Sequence, residues 1–270
     1  MYHRPASPIE PESPKARQYS GATTRFFPNA ISYLYSKGMH SPFTEPFTCF
    51  AHRGASGYEP ENTLRSFRSA LELGAKWLEL DVRVVEGVAV VFHDRTLSRR
   101  TGQSGVVERQ SLSLIRSLDA GKGEHIPLLS EVIELARGRA SLQVELKGAG
   151  TVPAVVKLLS DAISHGSSPL SFLVSSFEYV EVEQFKAALP EVPVGLLLHG
   201  YPRDPVRLAQ AISAVSVHLN LDAVTPKRVA ELHHAGLKVF AYTVNDPGDL
   251  AAVKAAGVDG VFTDFPDRIR

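Results

Sequence analysis

Two histidines, His52 and His93, and two charged pairs spaced by one residue, Glu79-x-Asp81 and Glu145-x-Lys147, are the residues of this sequence best placed to do chemistry. Side chains two apart on an extended strand share a face. If both pairs lie on strands of one closed sheet, Glu79, Asp81 and Glu145 converge, and three carboxylates at short range require either a proton or a cation. Oxygen donors alone select a hard ion, so the expected cofactor is one divalent cation, Mg²⁺ or Ca²⁺, rather than zinc or copper. Beside such a cluster, His52 and His93 fit general acid–base cleavage of a phosphate ester. Arg53 has the planar fork that grips a phosphate with two hydrogen bonds, and Lys147 adds a point charge. Arg53 also has a blander reading, as a salt bridge to Asp81 or Glu61.

The elements that must position these residues are read from hydrophobic patterning. Strands are expected at 47–52, 77–83, 88–93, 142–147, 172–176, 194–198, 215–220, 239–244 and 261–264. Only Val84, Val85, Glu86 and Gly87 separate the second from the third, too few for a parallel crossover, so that pair must be an antiparallel hairpin with Gly87 in its turn. With the hairpin arm set aside as an excursion, eight strands remain. Helical patterns follow most of them, at 62–73, 132–137 (after the excursion), 152–165, 180–188, 205–211, 226–235 and 250–256. The expectation is an α/β fold, a TIM-type (β/α)8 barrel with a β-hairpin excursion after strand 2. An open doubly wound sheet is disfavoured by the lack of a GxGxxG turn. In a barrel the site lies at the carboxyl ends of the strands, where His52, Asp81, His93 and Lys147 fall.

Residues 1–45 read differently. Pro5, Pro8, Pro11 and Pro14 recur at every third position among polar residues, a composition that buries no core. This stretch is taken as a disordered or irregular non-barrel lead-in, with Phe26, Phe27, Tyr33 and Tyr35 available to dock on the domain formed by residues 46–270. Lys plus Arg equals Asp plus Glu, 29 each, so bulk charge gives no reason to expect nucleic acid or an anionic membrane as partner. No apolar run reaches the roughly 18 residues of an integral membrane segment. The single Cys49 precludes an intrachain disulfide and favours a reducing, cytoplasmic setting. Oligomeric state is not legible. The remaining eight histidines read as background, although His199 and His218, near strand ends, are candidates for the barrel mouth.

The ordered set His52-Arg53, Glu61-Asn62, Glu79-x-Asp81 and His93-Asp94 resembles the glycerophosphodiester phosphodiesterase family. The segments AHRGASGYEPENTLRSF, WLELDVRV, VVFHDRTLSRRTGQSG, VELK, SSF, YTVN and VDGVFTDFP extend the resemblance over about residues 48–267. What the resemblance implies is metal-dependent hydrolysis of a small-molecule glycerophosphodiester to glycerol 3-phosphate and an alcohol. It implies His52 and His93 as the acid–base pair and Glu79, Asp81 and Glu145 as the metal ligands. On the same ground Arg53, Lys147, Glu61, Asn62, Phe177 and Tyr242 would serve the substrate, the last two lining a glycerol pocket. Tyr242 stands where many members carry Trp. The short segment between His93 and Leu142 leaves no room for the inserted domain of some members. A lysophospholipase D-like activity on lipid-bearing substrates is the alternative within the same fold.

Overall fold

The computed structural model describes residues 41–269. The elements, in chain order, are β1 (Thr48–Ala51), α1 (Leu64–Glu72), β2 (Trp77–Val85), β3 (Val88–Val91), α2 (Ser98–Thr101), α3 (Leu112–Ser117), α4 (Leu129–Ala136), β4 (Ser141–Leu146) and α5 (Val152–Ser164). They continue as β5 (Phe172–Ser176), α6 (Tyr179–Ala188), β6 (Val194–Leu198), α7 (Pro205–Ala211), β7 (Ser216–Asn220), α8 (Pro226–His234), β8 (Lys238–Tyr242), α9 (Pro247–Ala255) and β9 (Gly260–Thr263). All strands but β3 run parallel, in the order β1-β9-β8-β7-β6-β5-β4-β2, and β1 also pairs with β2, so the sheet closes on itself. This is the expected eight-stranded barrel. The hairpin is present too: β3 pairs antiparallel with the outer half of β2, Val82 opposite Val91 and Val85 opposite Val88. Its turn needs two left-handed residues, and Glu86 (φ 51°) and Gly87 (φ 80°) supply them.

Apolar side chains sort into three clusters. The largest lies between the barrel wall and the helices, with Leu78, Leu80, Val144, Val174 and Val217 facing Phe67, Val155, Phe185 and Leu232. A second fills the barrel floor, where Phe50 stacks on Phe262 (centroids 4.5 Å, planes 12° apart) and Trp77, Leu173, Val215 and Phe240 close around them. Phe43, from the strip of lead-in that is described, plugs this floor with its ring 4.8 Å from that of Phe240. The aromatics Phe26, Phe27, Tyr33 and Tyr35 lie outside the described residues. The third cluster, Val85, Val90, Phe92, Leu97, Val107, Ile115 and Ile126, is a small core belonging to the excursion.

Some expected boundaries shift, for local reasons. The first helix begins at Leu64 rather than Asn62 because Thr63 caps it, its hydroxyl accepting from the Ser66 amide at 3.2 Å. Asn62 is itself left-handed (φ 58°), so it cannot extend the helix. The excursion carries α2 and α3 before α4, where only a helix at 132–137 is expected, and α4 starts earlier, at Leu129. Strand β8 ends at Tyr242, two residues short of the expected end. Among the described residues, no helix is long and apolar enough to cross a membrane.

Candidate active site

Strand register brings the carboxylates together. Asp81 pairs with Glu145 across β2 and β4, and Glu79 sits one repeat below on the same face. All three are buried, at 2%, 0% and 7% exposure for Glu79, Asp81 and Glu145, and each offers an oxygen within 4.8 Å of the others. At that spacing each fully charged pair costs roughly 3 kcal/mol at an effective dielectric of about 20. Two cations face the three carboxylates. Lys147 Nζ lies 2.5 Å from Glu145 Oε1 and 3.2 Å from Asp81 Oδ1, and Arg53 Nε lies 3.1 Å from Asp81 Oδ2.

That leaves excess negative charge, and it appears in the protonation behaviour. Burial and the Asp81 charge push the Glu79 carboxyl well above the ordinary range, and the same two causes raise Glu145 to about 7. Asp81 goes the other way, because Lys147 and Arg53 outweigh its burial. Asp81 Oδ1 and Glu145 Oε1 make no hydrogen bond of good geometry despite their contact with the Lys147 ammonium. Buried oxygens in that state are ready ligands, and an all-oxygen donor set fits a divalent cation. The cluster expected from strand periodicity is therefore present and can hold a metal ion.

His52 and His93 stand on two sides of this cluster, and each is fixed through Nδ1. His52 follows β1, its amide donating to Thr263 O at 2.9 Å, and its Nδ1 lies 2.6 Å from Asp264 Oδ1. Asp264 also accepts from Ser56 Oγ (2.9 Å) and Asn245 Nδ2 (2.6 Å). Burial would raise this carboxyl, but those hydrogen bonds outweigh it and hold Asp264 at about 2. His93 Nδ1 lies 2.7 Å from Asp94 Oδ1, and Arg99 grips the same carboxylate at 2.5 and 3.0 Å. With both Nδ1 atoms engaged, Nε2 is the nitrogen each ring offers to the cleft. Burial lowers the pKa of His93, with the Asp81 charge opposing it.

The loop after β1 is strained in the site's favour. Arg53 is left-handed (φ 57°), a conformation that costs a bulky residue about 1–3 kcal/mol. In that pose its amide donates to Glu79 Oε2 at 2.7 Å while its carbonyl accepts from Asn62 N (3.0 Å) and Ser66 Oγ (2.9 Å). Asn62 Nδ2 donates to Asp81 Oδ2 at 2.8 Å. The salt-bridge reading of Arg53 is also present, since its Nη1 lies 3.1 Å from Glu61 Oε1. Glu61 turns to arginines on both sides, Arg53 and Arg99, rather than to the carboxylate cluster.

His52, Arg53, Glu79, His93, Glu145 and Lys147 line a cleft of about 350 Å³ at the carboxyl ends of the strands, with Phe177, Tyr242 and His199 forming its far wall. Phe177 stacks on His199 (3.8 Å between centroids), meets Tyr242 edge-on at 5.9 Å and lies under the Lys147 ammonium at 5.6 Å. Tyr242 is anchored by its hydroxyl, which donates to Leu198 O at 2.6 Å. His199 is thus at the mouth, as its position suggested. His218 is not: it is fully buried inside the barrel, 2.9 Å from Ser216 Oγ, and burial drops its pKa to about 3. Gly195 makes room for it, since a Cβ there would lie 2.6 Å from His218 Nε2.

Sequence reasoning missed three supports. Asp264 holds His52 and Asn245 in turn holds Asp264; that Asp264 lies at the barrel mouth was signalled by its place directly after the last strand. Arg83, two residues beyond Asp81 on β2, donates to His93 O at 3.1 and 2.8 Å and to Lys147 O at 3.4 Å, while Glu108 clamps its other edge at 2.5 Å.

The model of the glycerophosphoryl diester phosphodiesterase family matches residues 52–268. A glycerophosphodiester phosphodiesterase of Caldanaerobacter subterraneus subsp. tengcongensis is 35% identical over 81% of this chain and 94% of its own length. One from Bacillus altitudinis is 32% identical over 81% of this chain and 95% of its own. Among solved structures, a phosphodiesterase of Oleispira antarctica in complex with the product sn-glycerol-3-phosphate superposes with a TM-score of 0.79, at 32% identity, covering 85% of this chain and 98% of that one. On sequence, fold and the residues gathered at the barrel mouth, this chain is an enzyme of the glycerophosphoryl diester phosphodiesterase family.

Proposed function

We propose that the chain hydrolyses glycerophosphodiesters to glycerol 3-phosphate and an alcohol, with His52 and His93 as the proton-transfer pair. The observation that carries this reading is the placement of two histidines, each with Nδ1 on an aspartate, around one buried trio of carboxylates. Glu79, Asp81 and Glu145 would hold one Mg²⁺ or Ca²⁺ ion, which when bound supplies positive charge for the phosphate oxygens and acidifies a nearby hydroxyl. Arg53 and Lys147 add fixed positive charge on the phosphate side, while Glu61 keeps Arg53 in place and Asn62 orients Asp81. Phe177 and Tyr242 offer the glycerol backbone an apolar wall. The related Oleispira enzyme, with sn-glycerol-3-phosphate bound, supports that product.

His52 acts as the base toward the nucleophile and His93 protonates the leaving alkoxide. Support for this order comes from the cavities: His93 lines both the metal-side cleft and the wider groove beyond it, whereas His52 lines only the cleft. Residues 46–270 form the catalytic unit in this reading, and a cytoplasmic setting suits the lone, largely buried Cys49. The test is release of glycerol 3-phosphate from a panel of glycerophosphodiesters, after exhaustive chelation and after adding back Mg²⁺ or Ca²⁺. Release is expected only with the ion restored. Full activity after chelation overturns the assignment of the carboxylate trio.

A further inference from the structure

The groove beyond His93 is the larger of the two cavities, about 700 Å³ against about 350 Å³. It shares one wall with the catalytic cleft, made of His93, Glu145, Lys147, Phe177 and His199. Its other wall belongs to the excursion, which contributes Arg95, Val106, Glu108 and Arg109. The backbone there is pinned: Thr96 and Val106 form an antiparallel bridge, and Val107 N donates to Arg95 O at 3.0 Å. Arg95 and Arg109 are thereby presented from fixed points on the two arms of one loop.

The charges of this groove do not cancel. Arg83 is paired with Glu108, and Lys147 with Glu145. Arg95 and Arg109 are exposed and form no ion pair with any described residue. Against them stands one unpaired acid lining the groove, Glu178, at the start of α6. The rest of the lining includes apolar side chains, Val106, Leu146 and Phe177, that can meet an alcohol's carbon atoms.

We propose that this groove receives the leaving alcohol of the substrate, and that Arg95 and Arg109 make the enzyme prefer alcohols bearing a negative charge over those bearing a quaternary ammonium. The inference rests on the hydrolysis proposed above and deepens it by naming a headgroup class. With the glycerol phosphate half against the carboxylates and Phe177, the ester oxygen at His93 points its alcohol into the groove. An anionic group there meets two free guanidiniums, while choline meets the same two charges with one carboxylate to offset them. Exposed pairs of this kind are each worth up to about 5-fold in affinity.

The experiment compares kcat/KM for the glycerol 3-phosphate esters of 3-hydroxypropionate, propanol and choline, in the metal-loaded enzyme and in the double variant Arg95→Ala/Arg109→Ala. Both side chains are exposed, so the fold should tolerate their loss. Wild type is expected to rank carboxylate above propyl above choline, with a carboxylate-to-choline ratio of about 10 or more that shrinks with added salt. The double variant should lower that ratio about 10-fold, and Arg95→Glu/Arg109→Glu should invert it. Turnover of all three esters with a ratio unmoved by the variants overturns the subsite and leaves the reaction standing. No release from any ester contradicts the reaction itself, and the subsite with it.

Discussion

Asp264 Oδ1 lies 2.6 Å from Nδ1 of His52, although 212 residues separate them in sequence. His93 is held in the same way by its immediate neighbour, Asp94, at 2.7 Å. Two imidazoles are thus tied at the same nitrogen by partners that reach them by opposite routes, one through closure of the barrel and one through the chain.

Replacing Asp264 by Asn removes the charge that fixes the His52 tautomer while keeping the side chain's shape. Turnover should fall about 10- to 100-fold with KM little changed, because the imidazole loses its orientation rather than the substrate its contacts. Steady-state kinetics decide it. A kcat within about twofold of wild type would mean that Asp264 merely fills space.

Arg83→Ala should free the backbone carbonyls of His93 and Lys147 together. A displacement of the reacting groups by a fraction of an ångström is enough for a loss of kcat of about 10-fold or more. Glu108→Gln, which leaves the carbonyl contacts in place, should cost much less. Equal losses in the two variants, or a change confined to KM, would contradict a positioning role for Arg83.

In metal-free protein, Glu145 titrates near 7 instead of the ordinary 4.5. A raised carboxyl pKa means that the folded state binds the extra proton, so stability is fully present below pH 4.5 and is lost as pH rises toward 7. Tm of the chelated enzyme should fall across that interval relative to Glu145→Gln, and a divalent cation should restore it at pH 8 by mass action. Parallel Tm profiles for the two proteins would show that Glu145 carries no excess proton.

His218 behaves oppositely. Its folded pKa of about 3 lies below the ordinary 6.5, so the unfolded chain takes up the proton first and stability drains away as pH falls from 6.5 toward 3. His218→Gln can keep a hydrogen bond to Ser216 and should flatten that acid limb without changing kcat. An unaltered acid limb in the melting profile would refute this assignment.

The barrel was legible because parallel strands buried on both faces leave apolar runs, and because Glu86-Gly87 is too short for anything but a hairpin. The carboxylate trio was legible because side-chain alternation on Glu79-x-Asp81 and Glu145-x-Lys147 survives folding unchanged. What stayed hidden depends on registry between distant strands. Asp264's place after the last strand marks it as a mouth residue, but nothing local to His52 names it as the partner, and nothing near His218 says whether it tops the barrel or sits within it. The small helices of the excursion were missed for another reason: α2 and α3 are short, and only Ile115 among their residues is fully buried.

The central claim is that His93 gives a proton to the leaving alcohol while His52 serves the nucleophile. It is tested most directly by assaying His52→Ala and His93→Ala on two glycerol 3-phosphate esters, one of propanol and one of 4-nitrophenol, whose anion leaves without needing a proton. Both variants should lose at least about 100-fold in kcat on the propyl ester, the usual scale of general acid–base catalysis. On the nitrophenyl ester, His93→Ala should recover most of its activity and His52→Ala should not. Equal impairment of both variants on both esters, or near-wild-type turnover of the propyl ester by folded His93→Ala, would contradict the account.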